Sequence, residues 1–218
     1  MVKMIELIIF DLDGTLVDSI QDITDSLNKT LITYNIPTYT PDETKSLVGS
    51  GAKMLIYRAL PEHMRDKVDV VLKDFIENYK KNLFKKTRLF NGVYETLRAL
   101  DEKGYKKAII SNKREELTKK TLEVMGIDRF FEIVMGEDTL PYKKPSPEPI
   151  YEVLRRLSVD KKHAVIVGDG IQDIEAGKAA GIKTIAVAYG YTDREKLSGA
   201  DYMIDDIREL ITLLEHIK

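Results

Sequence analysis

Short apolar runs alternate with segments of helical periodicity from about residue 90 to the end of the chain. Six runs have the length and the β-branched content of strands: IELIIF at residues 5–10, KKAIISN, FEIVMG, HAVIVGD, KTIAVA and DYMI. Apolar residues recur at helical spacing in ELTKKTLEVMG, PEPIYEVLRRL and IQDIEAGKAAG, which lie between these runs. Strands that alternate with helices pack as parallel neighbours in one sheet. The sequence therefore predicts an α/β protein with a doubly wound parallel sheet.

Residues 17–88 interrupt this alternation with two long helical patterns and no convincing strand between them. The first pattern begins after Asp18 or Ser19, either of which is a good N-cap. The second is marked by apolar residues at helical spacing: Val68, Leu72, Phe75, Tyr79 and Leu83. We therefore expect residues 1–16 and 89–218 to form a Rossmann-like core, with residues 17–88 as a helical module inserted after the first strand.

The composition argues against several classes of partner and cofactor. The formal net charge is −2 and basic residues are spread along the chain, so nothing in the sequence suggests a basic face for nucleic acid. There is no cysteine and the three histidines lie far apart in sequence, so any bound metal should be a hard one with oxygen ligands. The apolar run near the N-terminus is too short to span a bilayer. We expect a cytoplasmic protein, either a monomer or a homodimer, without nucleic acid or membrane partners.

Polar side chains follow the ends of the predicted strands, at the sheet edge where ligands bind. They lie in four segments far apart in sequence: Asp11 and Asp13, Ser111 and Asn112, Lys144, and Asp169 with Asp173. Two carboxylates about 4 Å apart repel by roughly 4 kcal/mol at an effective dielectric constant near 20, so such a cluster needs a cation. Mg²⁺ fits best, because it prefers carboxylate, water and phosphate oxygens. Lys144 and the donors around Ser111 could then hold the anionic oxygens of a small phosphorylated metabolite.

Each of these elements also has a purely structural explanation. Asp13 and Gly14 form a common turn pair, the Ser-Asn pair after KKAII could cap a helix, and an acidic Asp173 suits a first helical turn. The segment VIVGDGIQDIEAG offers a strand, a glycine-rich turn and a helix, as in dinucleotide-binding proteins. Asp173 stands where that pattern needs a third glycine, and its charge would repel a pyrophosphate. A non-catalytic binding protein on this fold would have no need for two carboxylates in the first loop.

Four segments resemble the motifs of the haloacid dehalogenase-like superfamily and occur in its order: DLDGTLVDS, IISN, KKPSPEP and GDGIQDIEAG. In that family a helical cap is inserted after the first motif, where this chain has residues 17–88. The resemblance implies that Asp11 is the nucleophile that forms an aspartyl-phosphate and that Asp13 is the general acid and base. It also implies an Mg²⁺ site with these ligands: Asp11, the Asp13 main-chain carbonyl, Asp169 and, through water, Asp173. The residues it implies for the phosphoryl oxygens are Ser111, Asn112 and Lys144.

Further features of the sequence bear on the reaction and the substrate. Dehalogenases of this family lack the second aspartate of the first motif, so Asp13 favours phosphoryl transfer, while Gly170 stands where many relatives have serine. The segment VGSGAKMLIYRAL is similar to the cap segment of phosphoglycolate phosphatases, and Arg58 or Lys53 could bind a substrate carboxylate there. Both could instead be solvent-facing residues near a helix N-terminus. We expect a phosphoglycolate phosphatase-like phosphoric monoester hydrolase, with an inorganic pyrophosphatase or a β-phosphoglucomutase-like enzyme as alternatives.

Overall fold

The structure, a computed structural model, describes residues 4–217 of the chain. Eight strands lie in this range: β1 (Leu7–Phe10), β2 (Val17–Asp18), β3 (Arg88–Leu89), β4 (Lys106–Ile110), β5 (Ile133–Met135), β6 (Ala164–Gly168), β7 (Lys183–Val187) and β8 (Tyr202–Ile204). Six of them form one sheet in the order β5, β4, β1, β6, β7, β8. Neighbouring strands of this sheet are parallel throughout. β2 and β3 pair with each other in a separate two-stranded sheet.

Nine α-helices lie within the same described range: α1 (Ile20–Thr33), α2 (Pro41–Lys45), α3 (Ala52–Ala59), α4 (Val68–Asn82), α5 (Val93–Glu102), α6 (Glu115–Val124), α7 (Glu148–Leu157), α8 (Ile171–Ala180) and α9 (Glu209–His216). Residues of α5, α6 and α9 belong to one apolar cluster of the sheet domain, and residues of α7 and α8 belong to another. Helices therefore cover both faces of the sheet, and the predicted α/β, Rossmann-like class is confirmed. None of the helices between residues 4 and 217 is long and apolar enough to cross a membrane.

The central strand β1 is buried on both of its faces. Ile8 and Phe10 belong to the apolar cluster that includes α5 and α9, while the alternate residues belong to the cluster that includes α7 and α8. A strand covered on both faces needs apolar side chains at successive positions, which explains the uninterrupted run in its sequence. Phe10 lies beside Ile109 of β4 and Val167 of β6. The loops that follow these three strands therefore leave the sheet side by side.

The described part of the chain divides into two compact units, one formed by Asp18–Arg88 and the other by residues 4–17 and 89–217. In the Asp18–Arg88 unit, α1 packs against α4. The buried apolar residues of these helices are Ile20, Ile23, Leu27 and Leu31 on α1, and Val68, Val71, Phe75 and Tyr79 on α4. Their recurrence at helical intervals gives each helix one apolar face, and burial of these faces stabilises the unit.

Candidate active site

Three acidic side chains converge at the ends of β1 and β6. Asp11 follows β1, Asp169 follows β6, and Asp173 lies in the first turn of α8. The two strands are neighbours, and the Asp11 main-chain N–H donates to the oxygen of Val167 at 2.9 Å. Each of the three aspartates has a carboxylate oxygen within 4.8 Å of one from each of the others. Parallel strand pairing thus brings together carboxylates that are far apart in sequence.

Lys144 neutralises part of this negative charge. Its buried ammonium lies 2.9 Å from Asp11 Oδ1 and 2.6 Å from Asp173 Oδ1. The side-chain amide of Asn112 donates to the main-chain oxygen of Lys144 at 3.0 Å. Asn112 and its buried neighbour Ser111 directly follow β4. The loop after β4 therefore fixes the loop that presents Lys144 to the carboxylates.

Asp169 is oriented by main-chain and hydroxyl donors and by two glycines. Its Oδ1 accepts from Thr15 Oγ1 at 3.1 Å, and its Oδ2 accepts from the Tyr191 main-chain N–H at 2.8 Å. A Cβ atom added at either Gly14 or Gly190 would lie 2.2 Å from an atom of the Asp169 side chain. Gly190 and Tyr191 lie on the loop after β7, which the sequence analysis did not assign to the site. The donor is a main-chain N–H, which does not depend on residue type, and the space beside Asp169 is left by a glycine. No pattern of residue types in the sequence would therefore have revealed this contact.

Asp13 forms an ion pair with a lysine that the sequence analysis did not select. The Lys113 ammonium lies 3.0 Å and 3.2 Å from the two carboxylate oxygens of Asp13. The side chain of Lys113 is 9% exposed and that of Asp13 is 21% exposed. The sequence signal that could have identified Lys113 as a site residue is its position in the segment SNK, directly after two predicted site residues.

The carboxylates of this cluster are not fully compensated by Lys144. Burial raises the pKa of Asp11 to about 6; Lys144 opposes this rise and the charge of Asp173 adds to it. Burial also raises the pKa of Asp169 to about 8, with further contributions from the charges of Asp11 and Asp173. Burial alone would lower the pKa of Lys144, but Asp11 and Asp173 outweigh that effect and raise it to about 12. The cluster therefore favours an additional positive charge.

A hard divalent cation fits these residues. Asp11, Asp169 and Asp173 offer only carboxylate oxygens, which are the ligands of hard cations rather than of soft ones. A dication among them would oppose the repulsion and desolvation that raise the pKa values of Asp11 and Asp169. The donor set and its electrostatics thus both suit an oxygen-liganded metal.

Arg58 and Lys53 lie on α3, in the Asp18–Arg88 unit, and both bind residues of that unit. The Arg58 guanidinium donates to the main-chain oxygen of Leu47 at 2.9 Å and to Ser50 Oγ at 3.0 Å. The Lys53 ammonium pairs with Asp69 at 2.7 Å, and both side chains are exposed. Arg58 therefore ties α3 to the loop that precedes it, and contact of Arg58 with a substrate stays a prediction.

Comparisons with known proteins find relatives over nearly the whole chain. The model of the family described as "Haloacid dehalogenase-like hydrolase" matches residues 8–187. A phosphoglycolate phosphatase from Aquifex aeolicus is 38% identical over 96% of each chain, and one from Chromobacterium violaceum is 35% identical over 98% of each. The crystal structure of a predicted phosphoglycolate phosphatase from Haemophilus somnus has a TM-score of 0.89 and 30% identity, and the match covers 98% of this chain and 99% of that one. The similarity extends over both compact units.

Proposed function

The chain belongs to the haloacid dehalogenase-like hydrolases and is a phosphatase, and we propose that it hydrolyses phosphoglycolate through an aspartyl-phosphate on Asp11. The observation that carries this proposal is the convergence of Asp11, Asp169 and Asp173 around the buried ammonium of Lys144. A carboxylate beside a buried cation, at the carboxyl edge of a parallel sheet, combines a nucleophile with a phosphate-binding charge.

In the first step, Asp11 attacks phosphorus and the bond from phosphorus to the organic oxygen breaks. Lys144, Ser111 and Asn112 bind the phosphoryl oxygens, and their burial strengthens each charge-assisted contact. The residues that would hold Mg²⁺ are Asp11, the main-chain carbonyl of Asp13, Asp169 and, through water, Asp173, and the metal would supply charge stabilisation on the phosphoryl oxygens. The products of this step are the aspartyl-phosphate and the leaving alcohol.

Asp13 moves the protons in both halves of the reaction. It gives a proton to the leaving oxygen during attack, and then takes one from the water that hydrolyses the aspartyl-phosphate. The second half releases inorganic phosphate and regenerates Asp11 as a carboxylate. The contact with Lys113 holds the Asp13 side chain on the loop after β1 while it does so.

Two observations support phosphoglycolate as the substrate. The relatives from Aquifex aeolicus and Chromobacterium violaceum bear the name phosphoglycolate phosphatase and match almost their full length. The inserted unit presents Arg58 on α3 after Gly49 and Gly51, whose φ angles of 99° and 89° favour glycine at these positions. Arg58 is our candidate in this unit for the substrate carboxylate. Pyrophosphatase and β-phosphoglucomutase-like activities use the same core residues and remain the alternatives.

The experiment is a phosphate-release screen of the purified protein with Mg²⁺ and with a chelator. We expect phosphoglycolate to give the highest kcat/KM among phosphoglycolate, pyrophosphate, sugar phosphates and nucleotides, with activity lost in chelator. Asp11→Asn is the matched control, because it keeps the shape of the side chain, removes the nucleophile and should reduce turnover by several orders of magnitude. Preferential hydrolysis of pyrophosphate, or full activity in Asp11→Asn, would contradict the proposal.

A further inference from the structure

Lys113 contacts no part of the substrate in the proposed reaction, although its ammonium lies within the site. We infer that Lys113 binds an anionic group on the leaving side of the substrate, which in phosphoglycolate is the carboxylate. The inference rests on the proposed function for the identity of the leaving group. It makes the core unit, in addition to the inserted unit, selective for the substrate.

The main chain of Lys113 is fixed, while its side chain ends in an ammonium that can change partners. The Lys113 N–H donates to Ser111 Oγ at 3.3 Å, and the Lys113 oxygen accepts from the main-chain N–H of Glu137 at 2.9 Å. The ammonium carries three donors on a four-carbon stem. Rotation about this stem lets Lys113 take a substrate oxygen while it stays beside Asp13.

The distance from Lys113 to the leaving group follows from its contact with Asp13. A general acid lies about 2.6–3.2 Å from the oxygen that it protonates, so the Asp13 carboxyl must lie at that distance from the leaving oxygen. The Lys113 ammonium lies a further 3.0 Å from Asp13 Oδ1. In phosphoglycolate the carboxylate carbon is separated from the leaving oxygen by one methylene group. A carboxylate so near the leaving oxygen is within reach of the Lys113 ammonium.

The lysines of this edge of the sheet face different carboxylates. Lys144 contacts Asp11 and Asp173, on the side of the nucleophile. Lys113 contacts Asp13, on the side of the leaving group, and its side chain is only 9% exposed. A charge-assisted hydrogen bond at a site this shielded from water should improve kcat/KM roughly ten- to a hundredfold for a substrate with a carboxylate there. A substrate with a neutral leaving group has no carboxylate to accept this hydrogen bond.

The test compares phosphoglycolate with ethyl phosphate, in which a methyl group replaces the carboxylate. The measured quantity is the ratio of kcat/KM for phosphoglycolate to that for ethyl phosphate. We expect this ratio to fall roughly ten- to a hundredfold in Lys113→Met and Lys113→Gln, and to be largely retained in Lys113→Arg. Lys143→Met is the matched control, because Lys143 lies at the same edge of the sheet but pairs with Glu137 at 2.8 Å. The ratio should be unchanged in this control.

A binding measurement separates this inference from the proposed function, because it needs no turnover. Calorimetry with Mg²⁺ gives the dissociation constants of 3-phosphonopropionate, which has the carboxylate, and of propylphosphonate, which lacks it. One outcome is that wild type does not hydrolyse phosphoglycolate and still binds 3-phosphonopropionate more tightly than propylphosphonate. If Lys113→Met then loses this binding preference, the proposed substrate is wrong and the inference stands.

Two results would overturn the inference. The first is an equal decrease in kcat on both substrates in Lys113→Met with the binding preference retained, which would mean that Lys113 only positions Asp13. The second is that Lys143→Met loses the preference for the carboxylate-containing compound as much as Lys113→Met does. That result would mean that the net charge at this edge of the sheet attracts the anion. Thermal unfolding of each variant shows whether it is folded. If Lys113→Met does not fold, Lys113→Gln provides the neutral variant.

Discussion

At the scale of single residues, the position of Asp169 depends on one main-chain amide, one hydroxyl group and two glycines. The Tyr191 main-chain N–H donates to one of its carboxylate oxygens, and Thr15 Oγ1 donates to the other. Gly14 and Gly190 leave the space that the carboxylate occupies. The loop after β7 therefore determines the orientation of a carboxylate at the end of β6.

Gly190→Ala should disturb the candidate metal site. Its Cβ would lie 2.2 Å from Asp169 Cβ and 2.6 Å from the main-chain oxygen of Gly14, so the carboxylate must move. We expect phosphatase turnover and Mg²⁺ affinity to fall roughly ten- to a hundredfold, and the free energy of unfolding to fall by about 1–3 kcal/mol. Gly199→Ala is the control, because the nearest atoms to its Cβ lie at 3.6 Å and 3.7 Å. Unchanged turnover in Gly190→Ala would show that the loop after β7 does not orient Asp169.

Asp11 and Asp169 should make the metal-free protein less stable as the pH rises. Their folded pKa values, about 6 and about 8, lie above the ordinary value of 3.8, so folding favours the protonated carboxyls. Their contribution to the free energy of unfolding is complete below about pH 4 and is lost as the pH rises through about 6 and then about 8. Mg²⁺ competes with these protons, so the increase in Tm on adding Mg²⁺ should grow from about pH 5 to about pH 8.

Scanning calorimetry with chelator and with Mg²⁺ measures both effects. Asp169→Asn removes one of the two titrating carboxyls and one candidate ligand. It should therefore flatten the dependence of Tm on pH in chelator and reduce the increase caused by Mg²⁺. If Mg²⁺ increased Tm equally at about pH 5 and about pH 8, the assignment of the metal to these carboxylates would be contradicted.

At the scale of elements, α1 anchors the segment by which the chain leaves the inserted unit. The buried Asp22 carboxylate accepts from the main-chain N–H groups of Lys86 at 3.1 Å and Thr87 at 3.0 Å, and from Thr87 Oγ1 at 2.6 Å. One side chain thus satisfies two main-chain donors just before β3. The carboxylate holds the end of the inserted unit against its first helix.

Asp22→Asn should weaken this anchor more than Asp25→Asn, one helical turn away. The Lys86 N–H donates to both carboxylate oxygens of Asp22 at 3.1 Å, so the NH₂ group of the amide would replace one acceptor with a donor that faces this N–H. We therefore expect the free energy of unfolding, measured in urea, to fall by about 1–3 kcal/mol. Asp25 pairs with the Lys86 ammonium at 2.8 Å but is 38% exposed, so removing its charge should cost less than about 1 kcal/mol. Equal costs in the two variants would show that the main-chain contacts of Asp22 contribute little.

The sequence predicts those helices and strands whose own residues form a recognisable hydrophobic pattern. Strands buried on both faces, such as β1 and β6, have continuous apolar runs, and α1 and α4 have residues spaced along one face. The two-residue strands β2 and β3 are too short to show a period. In the candidate site, strand order explains why the aspartates meet, whereas the Tyr191 contact is made by a main-chain amide that every residue except proline has. The partner of Lys113 depends on how two loops meet, which no local pattern specifies.

At the scale of the whole molecule, the reaction can be assigned to one unit, whereas substrate selection is assigned to both. The proposed catalytic residues all lie in the unit that contains the parallel sheet. In the proposed reaction they act on the phosphoryl group and the leaving oxygen, which every phosphate monoester has. Asp18–Arg88 is inserted a few residues after Asp13, so the chain enters this unit from the catalytic edge of the sheet. We therefore expect substitutions in Asp18–Arg88 to change substrate preference more than the reaction itself.

Arg58→Ala tests whether the Asp18–Arg88 unit takes part in substrate selection. If its guanidinium binds the substrate carboxylate, kcat/KM for phosphoglycolate should fall roughly ten- to a hundredfold, while an aryl phosphate without a carboxylate should be nearly unaffected. Arg65→Ala is the control in the same unit, because Arg65 lies over the Tyr57 ring at 4.6 Å and should leave both substrates unchanged. Equal losses on both substrates would mean that Arg58 acts through its hydrogen bonds to the loop before α3. In the double variant with Lys113→Met, a loss smaller than the product of the two single losses would indicate that both cations bind the same carboxylate.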